Sequence, residues 1–466
     1  MQQSQALAIL KTGANVFLTG EPGSGKTHTI NEYTAYLREC GIEHSVTAST
    51  GIAATHIGGR TIHSWSGIGI ASKLDRYVID RISSNERVVK RVSKAKVLII
   101  DEISMLGSET FSMVEAVIRE IKRSPEPFGG LQIILVGDFF QLPPVVKREV
   151  VVDNQAQLLE SKPKLFAYES SAWNRLCPLV CYLTQQYRQD DSEFLDLLGA
   201  IRGNSFSKKH LARIEARKIE YEQAPVDAPK LYSHNLDVDR VNAEALARMP
   251  GKPESFSMST RGPKALVESL KKGCLSPENL QLKKGSAVMF TKNNLPQGFV
   301  NGTLGIVEDF VRPSGNPVIR TRDGNRIEAE PLEWVLKEND QTLATIEQIP
   351  LRLAWAITVH KSQGMSLDEA TMDLSSVFEY GQGYVALSRV RRFSGVHLLG
   401  YNERAFQIHP EILKKDKEFR SASDDIAQAF SKLSDKELKK MLNNFVVACG
   451  GKINHSKNKD VVFGIC

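Results

Sequence analysis

The chain has 466 residues, which exceeds one ordinary domain core and predicts two to four domains. Its 41% hydrophobic and 24% charged residues are typical of a water-soluble globular protein. No stretch reaches the roughly 20 apolar residues that span a bilayer, which excludes a transmembrane helix. The formal net charge of +6 is compatible with a polyanionic partner but is too small to indicate one.

The cysteines and the first residues bear on the cellular compartment. Only Cys177 and Cys181 lie close together, and a lone C-x-x-x-C has no second pair to complete a metal site. We therefore expect reduced thiols in a reducing compartment. The N-terminus has no basic segment followed by an apolar one, so we expect a cytoplasmic or nucleoid protein without a secretion signal.

Short apolar runs alternate with helical patterns over the first ~145 residues. Residues 15–19, 96–100 and 131–136 are predicted buried strands. Helical periodicity follows the first strand as far as Gly41 and follows the second strand through Ile121. This alternation predicts a parallel, doubly wound sheet with polar residues gathered at the carboxyl ends of its strands.

A glycine-rich turn follows the first strand. Residues 20–27 read GEPGSGKT and fit G-x-x-x-x-G-K-[ST], between a strand and a helix as this pattern requires. The backbone of Gly23, Ser24 and Gly25 should wrap the phosphates of a nucleotide at the helix N-terminus. Lys26 should reach the β- and γ-phosphates, and Thr27 should bind Mg²⁺. The pattern predicts a nucleoside triphosphatase, but kinases and GTPases share the loop.

Polar residues also end the other two strands. Asp101 is placed to hold Mg²⁺, and Glu102 to polarise the attacking water. The alternative is that Asp101 and Glu102 are two solvated carboxylates at the start of a helix. The pair favours hydrolysis, because a simple kinase would not need Glu102. Gln141, in the segment GDFFQLPP at residues 137–144, could reach the γ-phosphate or its water.

Residues 285–345 differ in character, with short β-rich runs separated by turn residues. They predict a small antiparallel barrel inserted in a larger α/β unit. The α/β alternation is expected to return at residues 351–356. From about Asp424 the tail predicts a helical hairpin, with a capping box at Ser434 and Glu437.

The segment PFGGLQ at 127–132 is followed by GDFFQLPP at 137–144. Together they resemble the signature of the petite-integration-frequency (Pif) DNA helicases of superfamily one. Further family motifs appear in order, namely TASTGIAA at 47–54, TIHS at 61–64, QYRQ at 186–189, LAWAITVHKSQG at 353–364 and YVALSRV at 384–390. The resemblance spans residues 5–392, nearly the whole chain.

The resemblance implies an α/β fold of two RecA-like P-loop domains, with an SH3-like barrel at 285–345 and a small helical wedge within 64–95. The first RecA-like domain is expected at residues 1–175, and the second at residues 176–284 together with 346–466. It also implies that Arg188 and Arg389, both supplied by the second domain, stabilise γ-phosphate charge when the cleft closes. The remaining implied roles are adenine recognition by Gln5, nucleotide binding by Gly364, and single-strand DNA binding by Thr50, His63, His360 and Lys361.

Several readings of this resemblance stay open. It implies an ATP- and Mg²⁺-dependent 5′→3′ DNA helicase that acts on single-stranded and tailed duplex DNA in genome maintenance. The alternatives are an ATPase stimulated by nucleic acid, an RNA helicase, and a nucleotide-gated scaffold that binds single strands without turnover. His63 could instead be an ordinary core histidine. We expect a monomer in solution, with a dimer on DNA left open, and no membrane partner.

Overall fold

A computed structural model describes residues 1–56, 59–69, 73–144, 164–189, 191–225, 228–299, 301–321, 324–338, 341–360 and 362–452. Its largest sheet has six parallel strands in the order β3-β2-β4-β5-β1-β6. These strands are β1 (Val16–Gly20), β2 (His44–Ala48), β3 (Arg60–Thr61), β4 (Val97–Asp101), β5 (Gln132–Val136) and β6 (Leu179–Leu183). The sheet confirms the predicted α/β class, and its central strands β1 and β5 are completely buried.

Among the described residues, eight α-helices accompany this sheet. They are α1 (Gln3–Lys11), α2 (Lys26–Glu39), α3 (Gly51–His56), α4 (Ile62–Ser66), α5 (Arg76–Ser83), α6 (Glu86–Lys94), α7 (Ser108–Lys122) and α8 (Ser171–Leu176). Helices α4, α5 and α6 occupy most of the segment expected to form a wedge, and they pack against α7.

The expected domain boundary at residue 175 falls too early. Strand β6 pairs in parallel with β1 along all five residues, from Val16 opposite Leu179 to Gly20 opposite Leu183. The first domain therefore extends to at least Leu183. The reason is that the apolar run of β6 is needed to complete the sheet next to the central strand.

The second parallel sheet has four strands in the order β18-β7-β19-β20. Between its first and second strands along the chain lies a largely antiparallel insertion. In chain order, the strands from the second sheet onward are β7 (Lys230–Tyr232), β8 (Glu254–Ser257), β9 (Ser259–Arg261), β10 (Asn279–Leu282), β11 (Ala287–Phe290), β12 (Leu304–Phe310), β13 (Pro317–Thr321), β14 (Arg326–Glu328), β15 (Leu332–Glu338), β16 (Gln341–Gln348), β17 (Leu351–Leu353), β18 (Ala356–Thr358), β19 (Ala370–Leu374) and β20 (Val396–Tyr401).

The antiparallel insertion is wider than the 285–345 expected. Its five-stranded sheet, in the order β14-β13-β12-β11-β17, includes β17 because Val288 pairs with Leu353. A three-stranded sheet β15-β16-β9 and the pair β10-β8 extend it back to Glu254. Residues 351–353, read as the return of the α/β alternation, therefore belong to the insertion, and the second parallel sheet resumes at Ala356.

The remaining helices divide between the two domains. They are α9 (Ser192–Arg202), α10 (Lys208–Glu215), α11 (Asn235–Arg248), α12 (Lys264–Gly273), α13 (Gln382–Leu387), α14 (Pro410–Ser431) and α15 (Asp435–Ala448). Helices α9 and α13 pack together in the second domain, and α12 belongs to the antiparallel insertion and contacts α3. Among the described helices, none is long and apolar enough to cross a membrane.

The C-terminal helices pack on the first domain, whereas the expectation assigned all of 346–466 to the second. The ring of Phe419, on α14, lies 5.0 Å from that of Phe17 on β1. The backbone N–H of Tyr182 on β6 donates to Ser423 Oγ on α14. Val446, on α15, is buried in the same core as Leu18. The predicted hairpin itself is confirmed, since Ser434 and Glu437 cap α15 reciprocally.

Candidate functional site: a nucleotide cleft

The loop between β1 and α2 has the backbone of a phosphate cradle. Gly23 and Gly25 have positive φ angles of 89° and 86°, which favour glycine. A Cβ on Gly23 would lie 2.5 Å from Arg188 Cβ, so this loop also closely approaches the segment after β6. Ser24 Oγ is buried without a hydrogen-bond partner. These features fit a bound triphosphate, whose oxygens accept bonds from exactly such loop donors.

Lys26 begins α2, where the expected phosphate contact requires it. Its Nζ donates to the carbonyl oxygens of Gly20 at 2.7 Å and of Glu21 at 3.0 Å. Burial lowers the pKa of this ammonium, and the positive charges of Arg202 and Arg188 add to the effect, against Asp138 and Glu102. A buried cation at the start of a helix is suited to a polyanionic ligand. Thr27 lines the same cleft.

The structure places Gln3, rather than Gln5, beside this loop. Gln3 Nε2 donates to the Ser24 carbonyl at 3.1 Å. Gln5 Oε1 instead accepts from the backbone N–H of Gln2 at 3.1 Å, closing the first turn of α1. The adenine role of Gln5 stays a prediction, and in this structure Gln3 is the glutamine that contacts the P-loop while Gln5 caps its own helix.

Asp101 and Glu102 end β4 and face the same cleft. The Glu102 backbone is in the left-handed region, with φ 52°, a costly conformation that is concentrated at functional sites. Burial, reinforced by the charge of Asp101, raises the pKa of Glu102 to about 7. Burial likewise raises the pKa of Asp101, whose Oδ1 accepts from the Glu102 N–H. Thr27 and Asp101 supply the hydroxyl and carboxylate oxygens that Mg²⁺ prefers, with other positions left to phosphate and water.

Arg389 enters the cleft from α13's C-terminal end in the second domain. It is only 2% exposed, and its guanidinium donates to Gln141 Oε1 at 3.1 Å. Burial, together with the charge of Arg188, lowers its pKa to about 9. Gln141, on the loop after β5, therefore contacts this arginine directly, which is consistent with a residue that reports the state of the cleft.

Arg188 lies on the connection between β6 of the first domain and α9 of the second. Its guanidinium donates to the Ser388 carbonyl at 3.3 Å. Burial, and then the charge of Arg391, lowers its pKa to about 10. Arg188 thus disfavours the charged forms of Lys26 and Arg389, and an anion bound between these cations would relieve that effect.

Two residues of the cleft were missed as site residues although their motifs were recognised. Gln363 Nε2 donates to Glu102 Oε2 at 3.0 Å. Asp138 is fully buried, and its carboxylate accepts from Arg202 at 2.8 Å. Gln363 belongs to the motif at 353–364 and Asp138 to the motif at 137–144. Membership of these motifs was the sequence signal that could have identified both residues. Arg202, at the end of α9, has no local signal of this kind.

The expected DNA-binding residues lie at the carboxyl edges of the two parallel sheets. Thr50 follows β2, and its Oγ1 accepts from the Ala53 N–H at the start of α3. His63 is half-buried on α4, after the neighbouring strand β3, and burial lowers its pKa. His360 follows β18, and burial and the charge of His234 lower its pKa. Lys361 lies outside the described residues.

Trp65 and Phe140 lie near the expected DNA-binding residues or the nucleotide loops in the sequence, but they are 3% and 2% exposed and belong to the core. An exposed aromatic lies elsewhere. Phe378 is 57% exposed, and its ring stacks on that of His234 at 5.1 Å. His234 is in turn a neighbour of His360. Phe378 and His234 together offer an exposed aromatic surface near the expected DNA-binding residue His360, on which a base could stack.

These residues enclose a cleft of about 1090 Å³ between the two parallel sheets. It is lined by Gly23, Gly25, Lys26, Thr27, Glu102, Gln141, Arg188, Gly364 and Arg389. A P-loop on one side and arginines entering from the other define a RecA-like nucleoside triphosphatase. Comparison with known proteins narrows this class.

The family model for PIF1-like helicases matches residues 2–221, and that for the 2B domain of DNA helicase Pif1 matches residues 265–310. The ATP-dependent DNA helicase Pif1 of Psychrobacter sp. is 38% identical, covering 97% of this chain and 76% of the relative. The human ATP-dependent DNA helicase PIF1 is 35% identical over 88% of this chain, but the match spans only 62% of the human protein. The chain belongs to the PIF1-like helicase family.

Solved structures agree with this assignment. Pif1 from Bacteroides sp in complex with ADP-AlF4 superposes with a TM-score of 0.77 at 28% identity, covering 90% of this chain and 97% of that one. Bacteroides Pif1 bound to ssDNA superposes over the same 90% of this chain with a TM-score of 0.59. The chain therefore superposes more closely on the first of these structures than on the second.

Proposed function

We propose that the chain is an ATP-dependent DNA helicase that translocates 5′→3′ on single-stranded DNA and unwinds tailed duplexes. The observation that carries the ATPase part is that three cations, Lys26, Arg188 and Arg389, line the same cleft as the carboxylate of Glu102. The names of the relatives support DNA as the substrate. The polarity rests on the family resemblance.

In this mechanism Lys26 and the P-loop amides bind the phosphates, and the buried arginines stabilise charge that develops on the γ-phosphate. Glu102 orients the attacking water and accepts its proton. Mg²⁺, held by Thr27 and Asp101, would neutralise phosphate charge during transfer. Gln3 lies at the edge of the same loop and is the candidate for reading the base.

Coupling to DNA is proposed to pass through the segment at residues 353–364. His360 lies at the expected strand-binding edge, and Gln363, in the same turn, donates to Glu102. Displacement of this segment by a bound strand would therefore change the position of the hydrolytic carboxylate. A scaffold that only binds would gain nothing from this contact.

The decisive experiment is strand displacement with matched duplexes that carry either a 5′ or a 3′ single-stranded tail. We expect ATP-dependent unwinding of the 5′-tailed DNA only. Unwinding of the 3′-tailed DNA alone would overturn the polarity. Equal or greater activity on matched RNA, or ATP hydrolysis without unwinding, would favour an RNA helicase or a nucleic-acid-stimulated ATPase instead.

A further inference from the structure

A set of hydrogen-bonded polar side chains connects helix α14 with the residues of the nucleotide cleft. Its centre is Tyr182 on β6, which is 2% exposed. The Tyr182 hydroxyl oxygen accepts from Arg202 at 2.7 Å and from Arg420 at 2.7 Å, and it donates to Asp416 Oδ1 at 3.0 Å. A phenol has one donor and two acceptor sites, so this hydroxyl is fully used.

On the cleft side, Arg202 continues the chain of contacts. Its guanidinium donates to Asp138 Oδ2 at 2.8 Å and lies 3.8 Å from the centre of the Phe140 ring. Gln141 Nε2 donates to the same oxygen of Asp138 at 3.4 Å, and Gln141 Oε1 accepts from Arg389 at 3.1 Å. Hydrogen bonds therefore run without interruption from α14 to the arginine of the second domain.

Helix α14 supports the cleft at a second point. Arg420 lies 3.8 Å from Glu21 Oε1 in the P-loop, and Gln186 Nε2 donates to the other oxygen of Glu21 at 3.1 Å. The Phe419 ring stacks on that of Phe139, in the loop after β5, with centroids 6.1 Å apart. The helix thus contacts both loops that form the wall of the cleft in the first domain.

We propose that Tyr182 is a positioning residue for ATP hydrolysis. It fixes Arg202 against α14, and Arg202 in turn holds the loop from Asp138 to Gln141 where Gln141 meets Arg389. The C-terminal helix is thereby part of the hydrolytic machinery, although it lines no part of the nucleotide cleft. This inference rests on the proposed ATPase function. In a buried, low-dielectric network each bond orients the next, so losing the central hydroxyl should loosen the whole loop.

The test compares two isosteric substitutions of buried tyrosines. Tyr182→Phe keeps the ring and removes the central hydroxyl. Tyr33→Phe is the matched control, because its hydroxyl is also buried in the first domain but donates to Gln132, away from the cleft. We expect Tyr182→Phe to lower kcat of the DNA-stimulated ATPase by about tenfold, the effect of one hydrogen bond to charged groups.

We expect KM for ATP to stay within about twofold, since the P-loop contacts are retained. Tyr33→Phe should keep kcat and KM at the parent values, while its melting temperature falls by about as much as that of Tyr182→Phe. Combining Tyr182→Phe with Arg202→Met should lower kcat no further than Arg202→Met alone. Equal kcat in the two tyrosine variants, or additive losses in the double variant, would show that the hydroxyl is merely structural.

A second readout needs neither ATP nor DNA. The Gln141 N–H donates to the Asp138 carbonyl at 3.0 Å, and the Phe140 N–H donates to Asp138 Oδ1 at 3.2 Å. Hydrogen exchange of these two amides should be faster in Tyr182→Phe than in the parent or in Tyr33→Phe. Unchanged exchange overturns the inference, even if the parent protein proves unable to hydrolyse ATP and the proposed function itself fails.

Discussion

Gln363 donates a hydrogen bond to the carboxylate of Glu102 across the nucleotide cleft, at 3.0 Å. The two residues come from different domains and are 261 positions apart. Burial and the charge of Asp101 raise the pKa of Glu102 to about 7. The hydrogen bond from the Gln363 amide acts in the opposite direction, because a donor to a carboxylate favours its charged form. The contact places the second domain directly on the group expected to orient water.

The first prediction concerns this carboxylate. Glu102→Gln should remove nearly all DNA-stimulated ATP hydrolysis while retaining ATP binding, because the amide cannot accept the proton of the attacking water. Lys26→Ala should lose both hydrolysis and binding, since it removes a phosphate contact. Nucleotide titration and steady-state ATPase assays separate the two effects. Hydrolysis by Glu102→Gln at the parent rate would contradict the role given to Glu102.

The two buried arginines give the second prediction. Arg188→Ala and Arg389→Ala should lower ATP turnover far more than they lower DNA binding at low ATP, as their charge acts when the cleft closes. Arginines in comparable positions contribute on the order of 10³–10⁵ in rate. Arg248→Ala is the control, because that side chain is 81% exposed on α11. Losses below about tenfold for both buried arginines would mean that they do not contact the transferring phosphate.

A third prediction separates the two glutamines of α1. Gln3→Ala should raise KM for ATP, because Gln3 touches the P-loop at Ser24. Gln5→Ala should leave KM unchanged and lower the free energy of unfolding by about 1 kcal/mol, the usual value of a helix cap. Chemical denaturation and ATPase kinetics on both variants check this. A raised KM for Gln5→Ala alone would restore the register expected from the sequence.

The buried pair of Arg202 and Asp138 predicts a pH-dependent change in stability. Burial raises the pKa of Asp138, but Arg202 and Lys26 outweigh it, and the folded pKa lies below the ordinary value. Asp138 therefore stabilises the parent above the unfolded pKa of about 3.9, and this contribution is lost as pH falls. Arg202→Met leaves the carboxylate buried without its partner, at a cost of roughly 3–5 kcal/mol at pH 7.

Without Arg202 the pKa of Asp138 should rise. Protonation of Asp138 should then reduce the loss of stability caused by Arg202→Met as pH falls toward about 5. Unfolding by urea at both pH values measures the difference between parent and variant. Asp138→Asn in the Arg202→Met background should recover part of the loss at pH 7. A penalty that is independent of pH would mean that Arg202 acts through packing rather than charge.

The fifth prediction concerns the antiparallel insertion. Arg320 and Arg326 are 63% and 65% exposed, and both pair with Glu308, which neutralises part of their positive charge. If this surface faces DNA, Glu308→Gln should strengthen single-strand binding and Arg320→Glu should weaken it, both more at low salt. Arg248→Glu serves as the charge-matched control. Identical binding by all four proteins across a salt series would place the surface away from DNA.

The nucleotide cleft was predictable because its chemistry is local in sequence. Lys26, Asp101 and Gln141 each follow a strand whose apolar run can be read directly, and parallel strands bring their carboxyl ends to one edge. The antiparallel insertion was only partly predictable. The pairing of Val288 with Leu353 joins segments that are far apart, and the apolar run from Leu351 gives no sign of which sheet it enters.

Arg202 and the C-terminal helices could not be placed for a related reason. An arginine at a helix end is usually solvated, and only the tertiary structure brings it to Asp138, 64 residues away. The amphipathic tail predicted its own hairpin, but an apolar helix face does not specify its partner. The role of Gln5 was assigned by resemblance and stays a prediction, although local helix capping engages this side chain in the structure.

The packing of α14 and α15 against β1 and β6 has a consequence for biosynthesis. The first domain takes part of its core from residues near position 446, so its folding cannot finish while the ribosome is still translating the second domain. Until then the apolar surface around Phe17 and Leu18 lacks its cover. We expect a nascent chain stalled near residue 400 to bind chaperones that recognise exposed apolar segments, and to be released once both C-terminal helices have emerged.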